Sequence, residues 1–197
     1  MTVVDQVAEL ARKYHEGQLR DNGKTPYITH PEAVVKRLRG WGVDEQNGED
    51  DIISLAVAWG HDLFEDTKID EREIEKLNPY GWKIAEGIRT LTFRASDGAK
   101  QLYIAGVAQH AEPRILLVKI ADRLCNAMER LETDDRKAMS YIDAGKPLLE
   151  NVGRLPERSR QIVEDDFRKC YREIESTYKE QELWEMMSDD MSWAGDE

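Results

Sequence analysis

Two cysteines, Cys125 and Cys170, are all that 197 residues contain. They stand far apart and in no CxxC pair, which argues against a disulfide framework or a zinc knuckle and fits a reducing, cytoplasmic setting. Both are expected to fill small apolar spaces. Long apolar runs are lacking too: none approaches the roughly 18 residues that span a bilayer. Met1–Leu10 holds Asp5 and Glu9 and no basic residue, so it does not read as a signal or transit peptide. Positive charge is in short supply, with 28 Lys and Arg against 40 Asp and Glu and a net charge of −12. Such a chain repels DNA and long RNA. A small anionic ligand would need a local basic patch or a metal ion. Strand signals are few, and there is no internal repeat, low-complexity tract or linker.

Helical spacing is what fills the chain. Val3, Val4, Val7, Leu10, Ala11 and Tyr14 form one stripe, which Gly17 closes. A turn-rich loop, RDNGKTPYITHP, leads to a helix with Pro31 in its first turn, running to Gly40. The segment from about Asp50 to Phe64 is apolar on most faces and should be central. Asp70 and Glu73 resemble a capping box for the next helix. Helices are expected over Pro79–Thr92, up to Ala111, and over EPRILLVKIADRLCNAMERL, where Leu117, Ile120, Leu124, Met128 and Leu131 keep a three- and four-residue step. DAGKPLLENVGRLP reads as loop. A long last helix begins near Pro156, with Val163, Phe167, Cys170, Tyr171, Ile174 and Tyr178 on one face as core or as a homodimer contact. The acidic end, SDDMSWAGDE, is expected to fray, with Trp184 and Trp193 in a loose tail. The expectation is an all-α single domain over residues 1–197: a motif-bearing core over 1–131 and a helical extension over 132–197.

The chemistry concentrates in GHDLFEDT, residues 60–67. Residues four apart on a helix share a face, so His61 should sit over Glu65 and Asp62 over Asp66. Three carboxylates this close cannot all ionise cheaply without a cation. A divalent metal resolves the conflict, and His with Asp is an acceptable ligand set. His30 lies in YITHP just before a helix; alone, a histidine there reads as a surface or capping residue. Asp122 follows the apolar run LLVKIA and should lie inside the fold, where it needs a partner or a metal. Asn126 stands one turn further on, and Lys119 and Arg123 flank it. His15 and His110 fit no pattern and are assigned to surface or packing.

The ordered set GQLRDNGKTPYITHP, AVAWGHDLFEDT and ILLVKIADRLCNAMERL resembles the HD-type metal-dependent phosphohydrolases, above all the hydrolase domain of the RelA/SpoT alarmone family, including its small single-domain members. The likeness covers about residues 5–131. It implies metal ligation by His30, His61, Asp62 and Asp122, usually of manganese. It implies activation and positioning of the attacking water by Glu65 and Asp66, and nucleotide contacts by Arg20 and Asn126. The implied activity is removal of the 3′-pyrophosphate from (p)ppGpp, giving GDP or GTP. Two departures touch recognition. Asp21 stands where the family often has a second basic residue, leaving Lys24 as the candidate substitute, and Glu129 stands near the nucleotide side. Other readings are an HD phosphatase for a deoxynucleoside monophosphate or NADPH, a helical module that binds nucleotide without turnover, and a purely structural helical protein.

Overall fold

A computed structural model describes residues 1–94, 96 and 98–192; for Asp135 and residues 182–192 only the backbone is considered. The helices run in the order α1 (Val3–Tyr14), α2 (Thr29–Gly40), α3 (Glu49–Gly60), α4 (Leu63–Asp66), α5 (Glu71–Glu75), α6 (Gly81–Leu91), α7 (Lys100–His110), α8 (Pro113–Leu131), α9 (Asp135–Asp143), α10 (Lys146–Glu150) and α11 (Glu157–Ser192). Among the described residues the nearest thing to a sheet is one antiparallel bridge between Leu19 and Pro26 in the α1–α2 loop. Among the described residues no helix is long and apolar enough to cross a membrane. The all-α expectation stands.

α1 starts at a reciprocal capping box, in which the Thr2 hydroxyl accepts from the Asp5 N–H and the Asp5 carboxylate accepts from the Thr2 N–H. It ends before Gly17, which takes a left-handed φ of +77° where a side chain would be strained. The apolar α3 is the central element. Ile53, Leu55, Ala56, Val57 and Ala58 are fully buried, and α1, α2, α6 and α8 pack around it. One hydrophobic cluster joins Val3 to Ile174, so residues beyond 131 share the core of the motif-bearing part. Phe167, Cys170 and Ile174 of α11 are buried in it, which places these three in the core rather than on a free dimer face. Truncating such a side chain as Phe167 to alanine removes on the order of 3–5 kcal/mol.

α11 is also tied by polar contacts. The Asp166 carboxylate accepts from the Arg37 guanidinium at 3.0 Å and the Trp41 indole at 2.9 Å. The buried Asp51 of α3 pairs with Arg158 and accepts from Asn47 and the Asp44 N–H.

Several expected boundaries move. The helix expected over 50–64 breaks after Gly60. A Cβ at Gly60 would lie 2.7 Å from Ile88 Cδ1 and 3.1 Å from Val7 Cγ1, so side chains of α1 and α6 pack closely against this glycine. Asp70 caps α5 through the Arg72 N–H, but Glu73 does not reciprocate; it takes the Tyr14 hydroxyl instead. Part of the expected loop DAGKPLLENVGRLP forms α10, with Leu148 buried. The backbone stays helical to Ser192, beyond the point where fraying is expected; the Trp184 side chain and Trp193 lie outside the described residues. Cys170 packs against more than apolar groups, since the Arg37 guanidinium donates to its sulfur at 3.4 Å. Both thiols are free, and burial pushes the Cys125 thiol up to about 11.

Candidate metal centre and its cavity

Three separate segments deliver side chains to one buried point. His30 comes from the first turn of α2, His61 from the turn after α3, and Asp122 from the middle of α8. They are 3%, 2% and 6% exposed. His30 Nε2 lies 3.1 Å from His61 Nε2 and 3.2 Å from Asp122 Oδ1, and one ligand atom from each residue falls within a 4.8 Å cluster. Asp62 Oδ2 stands beside them, 3.2 Å from His61 Nε2 and 3.8 Å from His30 Nε2.

The tautomer of His61 follows from its other nitrogen. His61 Nδ1 donates to the Ala58 carbonyl at 2.8 Å, so in the neutral ring Nε2 carries a lone pair into the cluster. Two imidazole nitrogens and two carboxylates facing one another are mutually repulsive unless a positive charge stands among them. Burial opposes charge on His61, but Asp62 and Asp122 outweigh it and push the ring up to about 10. Burial likewise works against charge on Asp122, and Lys119 and the histidines reverse it, so its carboxyl lies well below the usual range. A mixed N/O set of this kind fits a divalent cation.

The surroundings hold these groups in place. Lys119 pairs with Asp122 Oδ2 at 2.9 Å, and Asn126 Nδ2 donates to Asp122 Oδ1 at 2.6 Å. The sequence misses Tyr27 as a site residue, though it lies inside the quoted YITHP. Its hydroxyl is 2.7 Å from Asp62 Oδ2 and 2.6 Å from Asp66 Oδ2. Burial and the two carboxylates keep this phenol protonated. His15, expected only to pack, stacks on the Tyr27 ring at 4.6 Å between centroids and 12° between planes.

His30 and Asp122 of this cluster line a cavity of about 490 Å³ together with Asp62, Glu65 and Asp66, and His61 lies behind them, 3.1 Å from His30. Of the two expected stacked pairs, one survives: Asp66 keeps its helical backbone bond to Asp62 at 2.8 Å, and Tyr27 joins their carboxylates. The other pair separates because the chain turns at residues 61–62. His61 faces His30, while Glu65 Oε2 accepts from the Phe93 N–H at 2.9 Å. Burial, with Asp62 and Asp66 nearby, raises the Glu65 carboxyl.

At the cavity mouth, Arg20 is committed to neighbours. Its guanidinium binds Glu129 Oε2 at 2.6 Å and Asn126 Oδ1 at 2.8 Å. Asp21 pairs with Arg130 at 2.7 Å. Lys24 is not brought in; its side chain is exposed in the turn, and its backbone N–H donates to Asn22. Lys100, Tyr103 and Tyr141 line the cavity with no prior sequence signal.

No protein-family model matches the chain. Among curated proteins it is 32% identical over 163 residues to a "Probable GTP pyrophosphokinase" of Mycobacterium leprae, a match spanning 78% of this chain and 19% of that protein. It is 31% identical over 183 residues to a "Probable guanosine-3′,5′-bis(diphosphate) 3′-pyrophosphohydrolase" of Synechocystis, spanning 82% of this chain and 22% of that one. The chain thus spans about a fifth of the length of these relatives. Among solved structures, a metazoan ortholog of SpoT, described as hydrolysing ppGpp, superposes with a TM-score of 0.67 at 24% identity, over 88% of this chain and 96% of that one. In sequence and in fold, then, the chain resembles the hydrolase part of the RelA/SpoT alarmone family, the group to which its motifs point.

Proposed function

We propose that this chain removes the 3′-pyrophosphate from (p)ppGpp, using manganese held by His30, His61, Asp62 and Asp122. One observation carries the reading: two buried imidazoles and a buried carboxylate from three distant segments meet at one point, and two of them, His30 and Asp122, line a cavity with Glu65 and Asp66. The names of the relatives support the substrate. When bound, the metal supplies Lewis acidity toward a phosphoryl oxygen and acidifies a water.

The side chains do the rest. Glu65, with its raised carboxyl, accepts the proton of the attacking water. Asp66, fixed through the Tyr27 hydroxyl, orients that water. The water oxygen bonds to the phosphorus nearest the ribose, the bond from that phosphorus to the 3′ oxygen breaks, and the 3′ oxygen takes up a proton. Pyrophosphate and GDP or GTP result. Lys119 and Asn126 hold Asp122 so that its geometry survives each turnover.

The test is incubation of ppGpp with the purified chain and manganese, with products identified. Pyrophosphate with GDP is expected. Orthophosphate from a deoxynucleoside monophosphate or NADPH, with ppGpp untouched, would favour the alternative phosphatase. Saturable nucleotide binding without any product would favour a sensing module.

A further inference from the structure

The basic residues around the cavity differ in what already neutralises them. Lys119 is paired with Asp122, Arg20 with Glu129 and Arg130 with Asp21. Lys100, over the Phe93 ring, is exposed to solvent, which leaves Arg123 as the buried exception. It lines the same cavity and is only 5% exposed, yet among the described residues it makes no ion pair and no hydrogen bond. Its Nε is buried without a partner. A buried charge is costly unless a counter-charge meets it.

What the fold gives Arg123 instead is position. Its guanidinium lies 4.6 Å from the centroid of Tyr141 on α9, and Arg130 lies 4.5 Å from the same ring. A Cβ at Gly145 would stand 3.0 Å from Arg123 Cγ, so the glycine leaves room for the aliphatic stem. The side chain is thus held by an aromatic ring and a bare backbone; the nearest carboxylate, Asp122, is in contact with Lys119, His30 and Asn126 rather than with Arg123. A planar guanidinium with open N–H groups matches the oxygens of a phosphate. Arg123 also follows Asp122 directly on α8, so one turn of helix offers the cavity both a cluster carboxylate and a cation.

We propose that Arg123 is the anion anchor of this cavity and receives the pyrophosphate group of the substrate and product, in place of Arg20, whose charge Glu129 has taken. This rests on the reading of the cavity as a pyrophosphohydrolase site. It adds that phosphate recognition lies on α8.

Inorganic pyrophosphate is the probe, titrated calorimetrically into the full chain loaded with manganese. Arg123→Met and Arg123→Gln should weaken it at least tenfold, and Arg123→Lys, which keeps the charge, by clearly less. Arg20→Met should weaken it less than threefold. Manganese content should be the same in every variant. Pyrophosphate bound by Arg123→Gln as tightly as by the wild type would overturn the proposal. So would a tenfold loss in Arg20→Met, or loss of manganese from the Arg123 variants, which would mean that Arg123 acts through Asp122. Should the variants not fold, a crystal of the wild-type chain soaked in pyrophosphate decides: an anion oxygen hydrogen-bonded to Arg123 supports the proposal, and an anion held elsewhere refutes it. Binding needs no turnover, so a chain that binds pyrophosphate through Arg123 but leaves ppGpp intact refutes only the hydrolytic reading.

Discussion

Below the cavity His30, His61 and Asp122 are buried and point at one another; Ala58 holds His61 from behind and Lys119 and Asn126 hold Asp122, while His30 Nδ1 is buried without a partner. At its mouth Arg20, Asp21, Glu129 and Arg130 form two ion pairs, with the Asp21 side chain 80% exposed and Glu129 34%. The two regions obey different physics. Like-charged lone pairs at the floor are tolerable only around a cation, so a change in any one member leaves the others uncompensated. At the mouth, water reaches the acids Asp21 and Glu129, while the arginines they meet, Arg20 at 10% and Arg130 at 23% side-chain exposure, lie mostly inside. That is where this chain departs from the pattern it otherwise resembles, with Asp21 and Glu129 each met by an arginine.

This contrast can be broken or sharpened by measurement. The largest effect is expected from Asp122→Ala, which should weaken manganese binding by more than ~100-fold, beyond what loss of a supporting contact costs, and abolish turnover with it. Elemental analysis beside an activity assay checks both; a metal-free variant with full activity would remove the cluster from the mechanism. Next is Glu65→Gln, expected to keep its manganese and lose roughly 10²–10⁴-fold in kcat, as for loss of a general base. Coincident loss of metal would make Glu65 a ligand instead.

Tyr27→Phe comes third. It removes a hydrogen bond to charged acceptors worth about 1.5–3 kcal/mol, or roughly ten- to a hundredfold in kcat, with little change in KM. A KM effect alone would move Tyr27 from positioning to substrate contact. The smallest effect belongs to the mouth. Glu129→Gln weakens the hold on the Arg20 guanidinium, so KM for ppGpp should fall, by less than the Tyr27→Phe loss in kcat. A rise in KM would show that Glu129 itself touches the substrate.

The helical class, the order of the motifs and the identity of the acid and imidazole groups could all be read from the chain. Apolar spacing over Leu117–Leu131 gave α8 correctly, and the depth of Asp122 followed from the run before it. These are local properties, set by periodicity and by the cost of burying charge. The close packing at Gly60 was not legible, because Ile88 and Val7 are brought to that glycine by other helices. Tyr27 sat in a quoted motif and still passed unnoticed, since its partners lie 35 and 39 residues away. The sequence by itself determined which groups are available and which segments are helical. Only the tertiary structure decided that His30 meets Asp122 across 92 residues, that Glu129 takes the charge of Arg20, and that Arg123 keeps its own. The reason is that ligation and neutralisation act over about 3 Å, and distances between segments of that order arise only when the helices pack.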